Sequence, residues 1–505
     1  MVGKSKEKQS VVVIGGGPAG LTAAYELQRL SSDHTPVVIE AGDKVGGISR
    51  TESHNGYRFD IGGHRFFTKV PEVEAMWKEV MGDDFITVPR LSRIYFRGKF
   101  YNYPLKIGNA LRNIGVYESF RIILSYMKWQ VLRSKRDKEE SFEEWVTNRF
   151  GGRLYMHFFR SYTKKVWGID PKHIRADWAA QRIKNLSLFK AVWTALTGSN
   201  DTASLIEEFQ YPRLGPGMMW EETRDIIRNR GGEVRMRTEV TRVLRDGNRV
   251  TAIEMRQRNE DGSHGEVERL EGDHFVNSMA LKDLIHAFDP PPPPEVIDAA
   301  NRLSYRDFLI VTLILDHADP FKDNWIYIHS NDVKVGRIQN FRAWSKEMLP
   351  DQNTASVGME YFCQKDDNLW SMDDGDLREL AASELEKLGL VRPNAVVDSA
   401  VIRQPKAYPV YDGEYKNALD VLRGWLEGLE NFQTVGRNGL HRYNNQDHSM
   451  LSAMFAARNI LGAHHNVWDV NVERSYHEEF TVEDRKGSNA EKPDQNKLER
   501  ARAVG

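Results

Sequence analysis

The chain has 505 residues, 40% of them hydrophobic and 28% charged, which is typical of a globular protein rather than a disordered one. This length favours two to four domains, or one large domain with an insertion. The formal net charge of −2 gives no indication of nucleic-acid binding. The single cysteine, Cys363, excludes a disulfide framework within the chain and a cysteine-rich zinc site, and no metal site is predicted.

The two ends of the chain carry no pattern of a membrane anchor. No uninterrupted apolar run reaches the roughly 18 residues of a transmembrane helix. The charged residues 1–10 predict a flexible N-terminus and not a signal peptide, because glycines break the apolar run that follows. Residues 481–505 hold almost no apolar side chains, which predicts a disordered tail. Together with the lone thiol, these features favour a cytoplasmic protein.

The first forty residues carry the strongest pattern in the chain. A β-branched run, Val11–Ile14, predicts a buried parallel strand, and Gly15-x-Gly17-x-x-Gly20 leads from it into a helix. In this motif the first glycine permits a tight turn, the second lets a pyrophosphate approach the backbone, and the third lets the helix pack on the strand. A second strand ends in Glu40, where a carboxylate can bind ribose hydroxyls. The order predicts a dinucleotide site; a glycine-rich turn in an unrelated α/β unit is the alternative.

Further glycines follow and bear on which dinucleotide is bound. Gly46-Gly47 comes soon after Glu40, and Gly62-Gly63 precedes His64. Here the chain resembles the FAD-dependent amine oxidase and protoporphyrinogen oxidase superfamily, whose corresponding glycine segment runs along the flavin. The resemblance implies that FAD rather than NAD fills the Rossmann-type site. Repeated glycines would let the backbone approach a flat ring system.

The rest of the chain alternates helical and strand patterns. In chain order they predict a helix over 71–82, an aromatic hairpin over 93–104, an amphipathic helix over 106–133, several helical pieces over 142–198, three strands within 231–255, strands within 272–280, 308–315 and 355–362, and a strand, polar loop and apolar helix over 431–462. The cationic helix over 106–133 is interpreted as a bundle helix. The alternative, a helix that lies on a membrane, is less favoured, so membrane contact is not predicted.

These patterns predict an α/β fold whose dinucleotide-binding sheet takes strands from both ends of the chain. The expected class is a Rossmann-type FAD-binding domain of the GR2-like flavoproteins, with an inserted helical domain and an antiparallel β-sheet substrate domain. The predicted boundaries are 11–92 with 225–285 and 428–465 for the FAD-binding domain, 105–200 for the helical domain, and 93–104, 201–224 and 300–427 for the substrate domain.

Five segments narrow the resemblance to the UDP-galactopyranose mutase family, and their order along the chain is preserved. They are GGHRFFTKVPEV, RIYFRGKFYNYPLKI, FFRSYTKKVWGIDPKHIRADWAAQRI, KAYPVYD and VGRNGLHRYNNQDHSMLSA. The third resembles the family's Gly-Tyr-Thr-x-Lys-Gln-Trp-Gly segment, and the fourth resembles its Tyr-Pro-Val-Asn-Asp segment. Protoporphyrinogen oxidases share the glycine-rich start and the closing segment with this chain but not the third.

The resemblance implies a flavoenzyme that isomerises a nucleotide sugar between its pyranose and furanose forms. In that family N5 of the reduced flavin attacks the anomeric carbon and displaces the nucleoside diphosphate, and the flavin–sugar adduct opens and recloses without net electron transfer. The implied partners are a nucleotide sugar, above all a UDP-sugar, and an external reductant such as NAD(P)H or a reductase. A homo-oligomer is left open, and no nucleic acid is expected.

Two other functions stay open. The chain is alternatively an FAD-dependent oxidoreductase, similar to an amine oxidase or a protoporphyrinogen oxidase, that transfers a hydride from its substrate to the flavin. A third hypothesis is a flavin-binding protein without turnover of its own. A mutase needs several tyrosines and arginines that converge on phosphate, whereas an oxidase does not need such a clamp.

The resemblance also implies roles for individual residues. The catalytic candidates are His64, Arg337 and Trp167, and the substrate-binding candidates are Tyr162, Trp167, Arg337, Tyr408, Tyr443 and Arg213. The cofactor-binding candidates are Gly15, Gly17, Pro18, Ala19, Gly20, Glu40, Ala41, Gly47, Gly62, Gly63, His64, Val240, Arg437, Asp447, His448 and Met450. Structural alternatives stand beside these roles. Tyr162 and Trp167 could be core aromatics. Arg337 could be a surface charge, and His64 a histidine satisfied within a turn.

One segment departs from the family pattern where the family carries a mobile arginine that closes on the diphosphate. Glu207 and Glu208 stand near that place, Arg213 follows a few residues later, and Met218 replaces a family tyrosine. A glutamate cannot stabilise a diphosphate, because the two charges repel each other. Either Arg213 substitutes from another position, or the substrate differs.

Overall fold

The architecture comes from a computed structural model, which describes residues 8–103, 107–133, 139–176 and 208–471. The predicted tail at 481–505, most of the predicted flexible N-terminus, Glu207 and the part of the predicted helical segment after residue 176 lie outside the described residues.

The described residues form strands that belong to five sheets. In chain order the strands are β1 (Gln9–Ile14), β2 (His34–Ile39), β3 (Thr51–His54), β4 (Tyr57–Asp60), β5 (Phe85–Pro89), β6 (Ser92–Phe96), β7 (Lys99–Asn102), β8 (Glu208–Pro212), β9 (Glu233–Arg235), β10 (Thr238–Asp246), β11 (Arg249–Arg258), β12 (His264–Glu271), β13 (His274–Asn277), β14 (Phe288–Asp289), β15 (Tyr305–Leu315), β16 (Trp325–Ile328), β17 (Arg337–Asn340), β18 (Ala355–Cys363), β19 (Val396–Pro409) and β20 (Phe432–Thr434).

The helices lie between and over these strands. In chain order they are α1 (Pro18–Leu30), α2 (Pro71–Met81), α3 (Ile107–Ile114), α4 (Val116–Arg133), α5 (Phe142–Phe150), α6 (Gly152–Leu154), α7 (Arg160–Trp167), α8 (Gly217–Asn229), α9 (Leu281–Ala287), α10 (Pro294–Arg302), α11 (Phe341–Trp344), α12 (Asn368–Ser371), α13 (Asp374–Lys387), α14 (Tyr415–Leu426) and α15 (Gln446–Ile460). A π-helical turn, Tyr155–Phe159, joins α6 to α7.

The first layer is a five-stranded parallel sheet in the order β20-β13-β1-β2-β9. Its strands come from both ends of the chain, and β1 pairs with β2 on one side and with β13 on the other. The β-branched run Val11–Ile14 is fully buried, as a central parallel strand with both faces covered requires. Helix α1 covers one face and packs against α8 and α15. This arrangement confirms the predicted α/β fold class.

The second large layer is a seven-stranded sheet in the order β19-β15-β18-β17-β16-β6-β7. Its strands pair antiparallel except for β16 and β6. The buried side chains of the interior strand β15 alternate between two core clusters, with Leu309 and Val311 on one side and Phe308 and Ile310 on the other. Helix α13 covers the first side. The second side forms part of a cavity wall through Phe308.

A third, four-stranded sheet in the order β12-β11-β10-β14 extends beside the parallel sheet. Strand β10 ends at Asp246 and β11 begins at Arg249, so the chain reverses at Gly247 and Asn248. Gly247 has φ +57°, the left-handed conformation that such a tight hairpin turn uses.

The helical region between β7 and β8 differs in part from its prediction. The single helix predicted over 106–133 is wrong: Gly115, at φ +89°, separates α3 from α4. Helix α5 begins as predicted, because the Ser141 hydroxyl accepts a hydrogen bond from the Glu144 N–H at 3.2 Å in a capping box. No helix within the described ranges is long and apolar enough to cross a bilayer.

Candidate active site

One cavity of about 720 Å³ lies between the carboxyl ends of the parallel strands and one side of the seven-stranded sheet. Its wall combines the glycine-rich start of the chain, helix α7, the second side of the seven-stranded sheet and the loop into α15. The predicted residues that line it are Gly15, Gly17, Pro18, Ala19, Glu40, Gly47, Gly62, Gly63, His64, Tyr162, Trp167, Arg337, Tyr408, Arg437, Tyr443 and Asp447. The fold therefore brings the predicted dinucleotide and substrate residues to one place.

The glycines of the first loop form a cradle in which Gly15 and Gly20 have no room for a side chain. Gly15 has φ +98°, and a Cβ there would collide with the Ser278 hydroxyl. A Cβ on Gly20 would overlap the carbonyl oxygen of Gly15, so α1 can approach β1 only with glycine there. A Cβ on Gly17 would lie 3.7 Å from Gly47 Cα across the cavity wall. The N-terminus of α1, which begins at Pro18, thus offers open backbone and a partial positive charge for phosphates.

Glu40, the predicted ribose acid, is held in place by backbone groups. The Gly16 N–H donates to its Oε2 at 2.7 Å, and the Gly42 N–H donates to its Oε1 at 2.7 Å. Burial raises the pKa of Glu40, while the two N–H donors and the charge of Arg50 act in the opposite direction. The carboxyl group is thus fixed at the edge of the cradle, where ribose hydroxyls can reach it.

His64 lines the cavity beside Gly62 and Gly63. Its Nδ1 is 3.1 Å from the Gly62 carbonyl oxygen, which accepts a hydrogen bond from an Nδ1–H tautomer. Burial, and then the positive charges of Arg437 and Arg337, lower the pKa of His64 to about 3. A Cβ on Gly62 would lie 3.5 Å from Arg337 Nη2 and 3.6 Å from His64 Cε1. The imidazole is therefore neutral at neutral pH and adjoins Arg337.

Arg337 forms an ion pair with a fully buried acid. Strands β17 and β18 place it directly opposite Glu360, and its Nε donates to Glu360 Oε2 at 2.6 Å. The Gln339 amide donates to the other Glu360 oxygen. Burial alone would lower the pKa of Arg337, but the Glu360 charge outweighs burial and holds the pKa well above its usual value. Arg337 is therefore a fixed cation of the cavity wall and not a surface charge.

Aromatic side chains from three elements form the rest of the wall around Arg337. Tyr162 of α7 stacks on His329, with ring centroids 4.2 Å apart and planes 9° apart. Tyr408 stacks on Tyr443 at 5.4 Å and 11°. Trp167 lies edge-on to Tyr408 at 6.3 Å. These rings offer flat apolar faces together with phenol hydroxyls, which suits a ligand that carries both ring and phosphate groups.

Trp167 is at the same time a core residue and a cavity residue. It is 4% exposed and belongs to a buried cluster with Phe142, Trp145 and Tyr155. It also lines the cavity. The two interpretations of this tryptophan are thus compatible, because one edge packs in the helical region and another faces the ligand space.

Lys165, which also belongs to helix α7, binds backbone carbonyl groups and does not line the cavity. The carbonyl oxygens of Ile328, Ser330, Val333 and Val335 lie 3.3, 2.6, 3.0 and 3.1 Å from its Nζ and share its three N–H donors. Burial lowers the pKa of Lys165 to about 8. The side chain ties α7 to the loop between β16 and β17 and points away from the ligand space.

The closing segment completes the cradle from the other end of the chain. Arg437 Nε donates to the Asn444 carbonyl oxygen at 2.8 Å, and its guanidinium carbon lies 5.0 Å from the centroid of the Tyr443 ring. Helix α15 begins at Gln446 after an Asn445 cap, and its first turn lines the cavity. A second helix N-terminus therefore faces the ligand space.

Some predicted site residues lie outside the cavity wall. They are Gly20, Ala41, Arg213, Val240, His448 and Met450. Met450 accepts a hydrogen bond from Trp77 Nε1, and Trp77 does line the cavity. Arg213 forms ion pairs with Asp84 and Glu347. Glu208 is exposed at the start of β8 and is not part of the wall. The roles of these residues stay predictions.

Sequence reasoning missed several residues around Arg337. Tyr327 and His329 line the cavity, and Glu360 holds Arg337. Trp325, Tyr327 and His329 alternate along one strand, and this period of two is a pattern that could have placed all three on one face. Glu360 had no such pattern, because only the register of β17 and β18 brings it opposite Arg337.

Comparison with known proteins identifies a family and a fold. The family model described as flavin containing amine oxidoreductase matches residues 18–416. The chain is 40% identical over 73 residues to a coproporphyrinogen III oxidase of Mycobacterium leprae (strain TN), covering 14% of this chain and 16% of that protein. It is 26% identical over 303 residues to the putative flavin-containing monoamine oxidase AofH of Mycobacterium tuberculosis (strain CDC 1551 / Oshkosh), covering 58% and 61% of the two chains. These matches thus span less than two thirds of either oxidase.

A solved structure resembles the whole fold. The crystal structure of reduced UDP-galactopyranose mutase matches with a TM-score of 0.79 at 20% identity, covering 93% of this chain and 100% of that chain. The cavity itself fits a flavin dinucleotide, since the glycine cradle leaves backbone exposed, Glu40 can hold a ribose, and two helix N-termini face the ligand space. FAD is the cofactor of this fold and family.

Proposed function

The chain belongs to the flavin containing amine oxidoreductase family, and from this premise we propose that it is an FAD-dependent isomerase that interconverts the pyranose and furanose forms of a nucleotide sugar. The proposed substrate is a UDP-sugar, and the proposed source of electrons is NAD(P)H or a separate reductase. The likeness in fold to reduced UDP-galactopyranose mutase over nearly the whole chain supports this proposal.

The single observation that carries the proposal is the convergence of Arg337 and tyrosine side chains beside the dinucleotide cradle. Tyr327 lies directly opposite Arg337 in the register of β16 and β17, and the Tyr162 ring lies 6.0 Å from the Tyr327 ring. Tyr408 lines the same cavity. A fixed guanidinium with several phenol donors is an arrangement suited to a phosphate group. An oxidase that acts on an amine does not need such a clamp.

In the proposed reaction the chain's own residues bind, orient and exclude water. Arg337 and the phenols of Tyr162 and Tyr408 hold the diphosphate and stabilise its negative charge as it leaves the sugar. Trp167 presents a flat face that positions the sugar ring. Neutral His64 stays bonded to the Gly62 carbonyl and keeps the glycine turn in its open geometry.

The cofactor supplies, when bound and reduced, a nucleophile for the anomeric carbon. Gly15, Gly17 and Gly47 would hold it by their exposed backbone, and Glu40 and Arg437 would hold its ribose and diphosphate. The aromatic wall keeps water from the reacting carbon, so that the sugar recloses on itself and is not hydrolysed.

One observation favours a second candidate, an FAD-dependent oxidoreductase. Glu360 compensates the charge of Arg337, which weakens its attraction for a dianionic ligand. Phe308, Trp325 and Phe362 add apolar surface to the same wall, as a hydrophobic substrate of an oxidase requires. The related proteins from mycobacteria carry oxidase names, which supports the same alternative.

A direct experiment separates the two candidates. The FAD-loaded protein is reduced with dithionite without oxygen and mixed with UDP-galactofuranose or related nucleotide sugars, and the ring isomers are separated by chromatography. We expect ring isomers from reduced protein and none from oxidised protein. The Arg337→Met variant, with its FAD content measured, serves as the control for the phosphate clamp.

The opposite outcome is equally clear. If no nucleotide sugar changes its ring size, and an amine or a porphyrinogen reduces the bound flavin, the isomerase proposal is wrong and the oxidoreductase is correct. If Arg337→Met retains full isomerase activity, the diphosphate is held elsewhere and the supporting observation fails.

A further inference from the structure

Helix α4 turns an apolar face towards solvent. Val116, Phe120, Ile123, Leu124 and Met127 follow each other at helical spacing, so they share one side of the helix; we call them the α4 stripe. Val116 is 87% exposed, Phe120 59% and Met127 49%. A surface helix of a globular protein normally buries such a stripe against its core. This orientation differs from the bundle helix that the sequence predicts.

The orientation of α4 is held by contacts on its other side. Ser125 Oγ accepts a hydrogen bond from the Arg153 N–H at 3.1 Å, and the Gln130 amide donates to the Asn148 carbonyl oxygen at 3.1 Å. Gly151 packs so closely on Tyr126 that a Cβ there would lie 2.9 Å from the Tyr126 backbone. Because these contacts fix the rotation of the helix, the stripe points outward by construction.

A groove of about 690 Å³ with a surplus of positive charge adjoins the stripe. Arg121, Lys128, Arg153 and His157 line it; we call it the cationic groove. The acid beside it is Glu118, whose carboxylate accepts bonds from Arg153 at 2.5 and 3.1 Å and lies 2.9 Å from His157 Nε2. Three permanent cations thus face one carboxylate.

We propose that the α4 stripe and the cationic groove dock the protein on an anionic phospholipid surface, with α4 lying in the plane of the interface. The apolar side chains would enter the boundary between headgroups and acyl chains, and the arginines and Lys128 would contact lipid phosphates. Within the described residues no helix can cross a bilayer, so the contact is peripheral.

A second copy of the chain fits this face less well. The stripe is about 17 Å long, from Val116 to Met127, whereas each side of a standard protein interface covers about 800 Å². Pairing two such faces would also bring the cations Arg121 and Lys128 of both copies together, whereas an anionic surface complements them.

The test uses the full-length, FAD-loaded protein and vesicle flotation. We expect at least tenfold stronger partitioning into vesicles that contain phosphatidylglycerol than into pure phosphatidylcholine, and a decrease at high salt. The double variant Phe120→Glu/Met127→Glu should lose at least tenfold, and Lys128→Glu severalfold. Val421→Glu, at a 37% exposed position of helix α14, is the matched control and should bind as the wild type does. Flavin absorbance and circular dichroism verify that each variant is folded.

A second measurement distinguishes other occupants of the face. Cys363 is buried, so a Phe120→Cys variant can be labelled selectively with a fluorophore. We expect iodide to quench the label in solution and vesicles to protect it. Protection without vesicles that grows with protein concentration would indicate a second copy. Protection that is independent of concentration would indicate coverage by residues 177–207. Either result, or equal partitioning of wild type and double variant, overturns the proposal.

Discussion

The two ends of the cavity are built by different means. At the dinucleotide end, the backbone itself forms the site: Gly15 and Gly20 leave no room for a side chain, and Gly17 packs against Gly47. At the opposite end, Arg337 and Tyr162 are positioned by other side chains, namely Glu360 and His329. The dinucleotide end is therefore determined by local sequence, whereas the Arg337 end is determined by contacts between segments that are distant along the chain.

The largest expected effect tests the dinucleotide end of the cavity, which the glycine backbone forms. Gly20→Ala places a methyl group onto the Gly15 carbonyl oxygen, so we expect α1 to be displaced, FAD to be lost and the fold to lose more than roughly 4 kcal/mol. Visible flavin absorbance and thermal unfolding measure both. Gly424→Ala is the control, because a Cβ at this helical position of α14 meets nothing within 4 Å. It should be neutral or stabilising by up to about 1 kcal/mol. Full flavin content in Gly20→Ala would contradict the cradle.

The second-largest expected effect tests the Arg337 end of the cavity, through the ion pair of Arg337 with Glu360. Arg337→Met leaves Glu360 buried without its cation, which should cost about 3–5 kcal/mol while FAD stays bound. The double variant Arg337→Met/Glu360→Leu removes both charges and should recover most of that stability, yet remain inactive. Urea unfolding and turnover assays separate the two consequences. A single variant as stable as the wild type would mean that the pair contributes nothing to the fold.

The third prediction compares two buried tryptophans, to separate the effect of core packing from that of ligand contact. Trp167→Ala and Trp468→Ala remove side chains of similar burial, 4% and 5% exposed, and each should cost about 3 kcal/mol. Only Trp167 lines the cavity, so only its variant should weaken substrate binding while FAD is retained. Equilibrium binding and flavin content measure this. Loss of FAD in Trp167→Ala would show that the residue acts through the core alone.

The smallest effect concerns buried histidines. Burial, and then the charge of Lys165, lower the pKa of His329 to about 3, whereas an unfolded histidine titrates near 6.5. Between these values the unfolded state binds more protons, so stability falls as the pH drops from about 6.5 towards 3. His329→Gln should reduce that slope by up to about 1.4 kcal/mol per pH unit. Urea unfolding at several pH values measures the slope, with His286→Gln at an exposed position as the control variant.

The difference between the two ends of the cavity also explains how much of the fold and of the site could be predicted from the sequence. The strand, glycines and acid of the first forty residues predicted β1, α1, β2 and the cradle, because each rule acts over a few residues. The turn at Gly168 and the cap at Ser141 were predictable for the same reason. Resemblance supplied Arg337 and Tyr162, but not what holds them. Glu360 lies in a strand whose register depends on the whole sheet, and no local pattern encodes it. His329 directly follows β16, and only the fold brings it onto Tyr162.

The helical region shows a second limit of sequence reasoning. Its amphipathic pattern predicted a helix over 106–133, and a helix of that character is present as α4. The pattern does not specify which side of the helix faces inward, because polar contacts through Ser125 and Gln130 decide the rotation. A glycine at 115 also divides the helix, since its positive φ lies outside the helical range.

Lys165 has a consequence for motion. Its ammonium contacts four carbonyl oxygens at the end of β16 and in the following loop, which joins α7 to that part of the seven-stranded sheet. Sliding one past the other would break these hydrogen bonds together. Tyr162 on the helix and His329 on the loop therefore travel together, and their stacked arrangement survives thermal fluctuations of either element. We expect opening and closing of the cavity to move other parts of its wall, while Tyr162 and His329 keep their positions relative to each other.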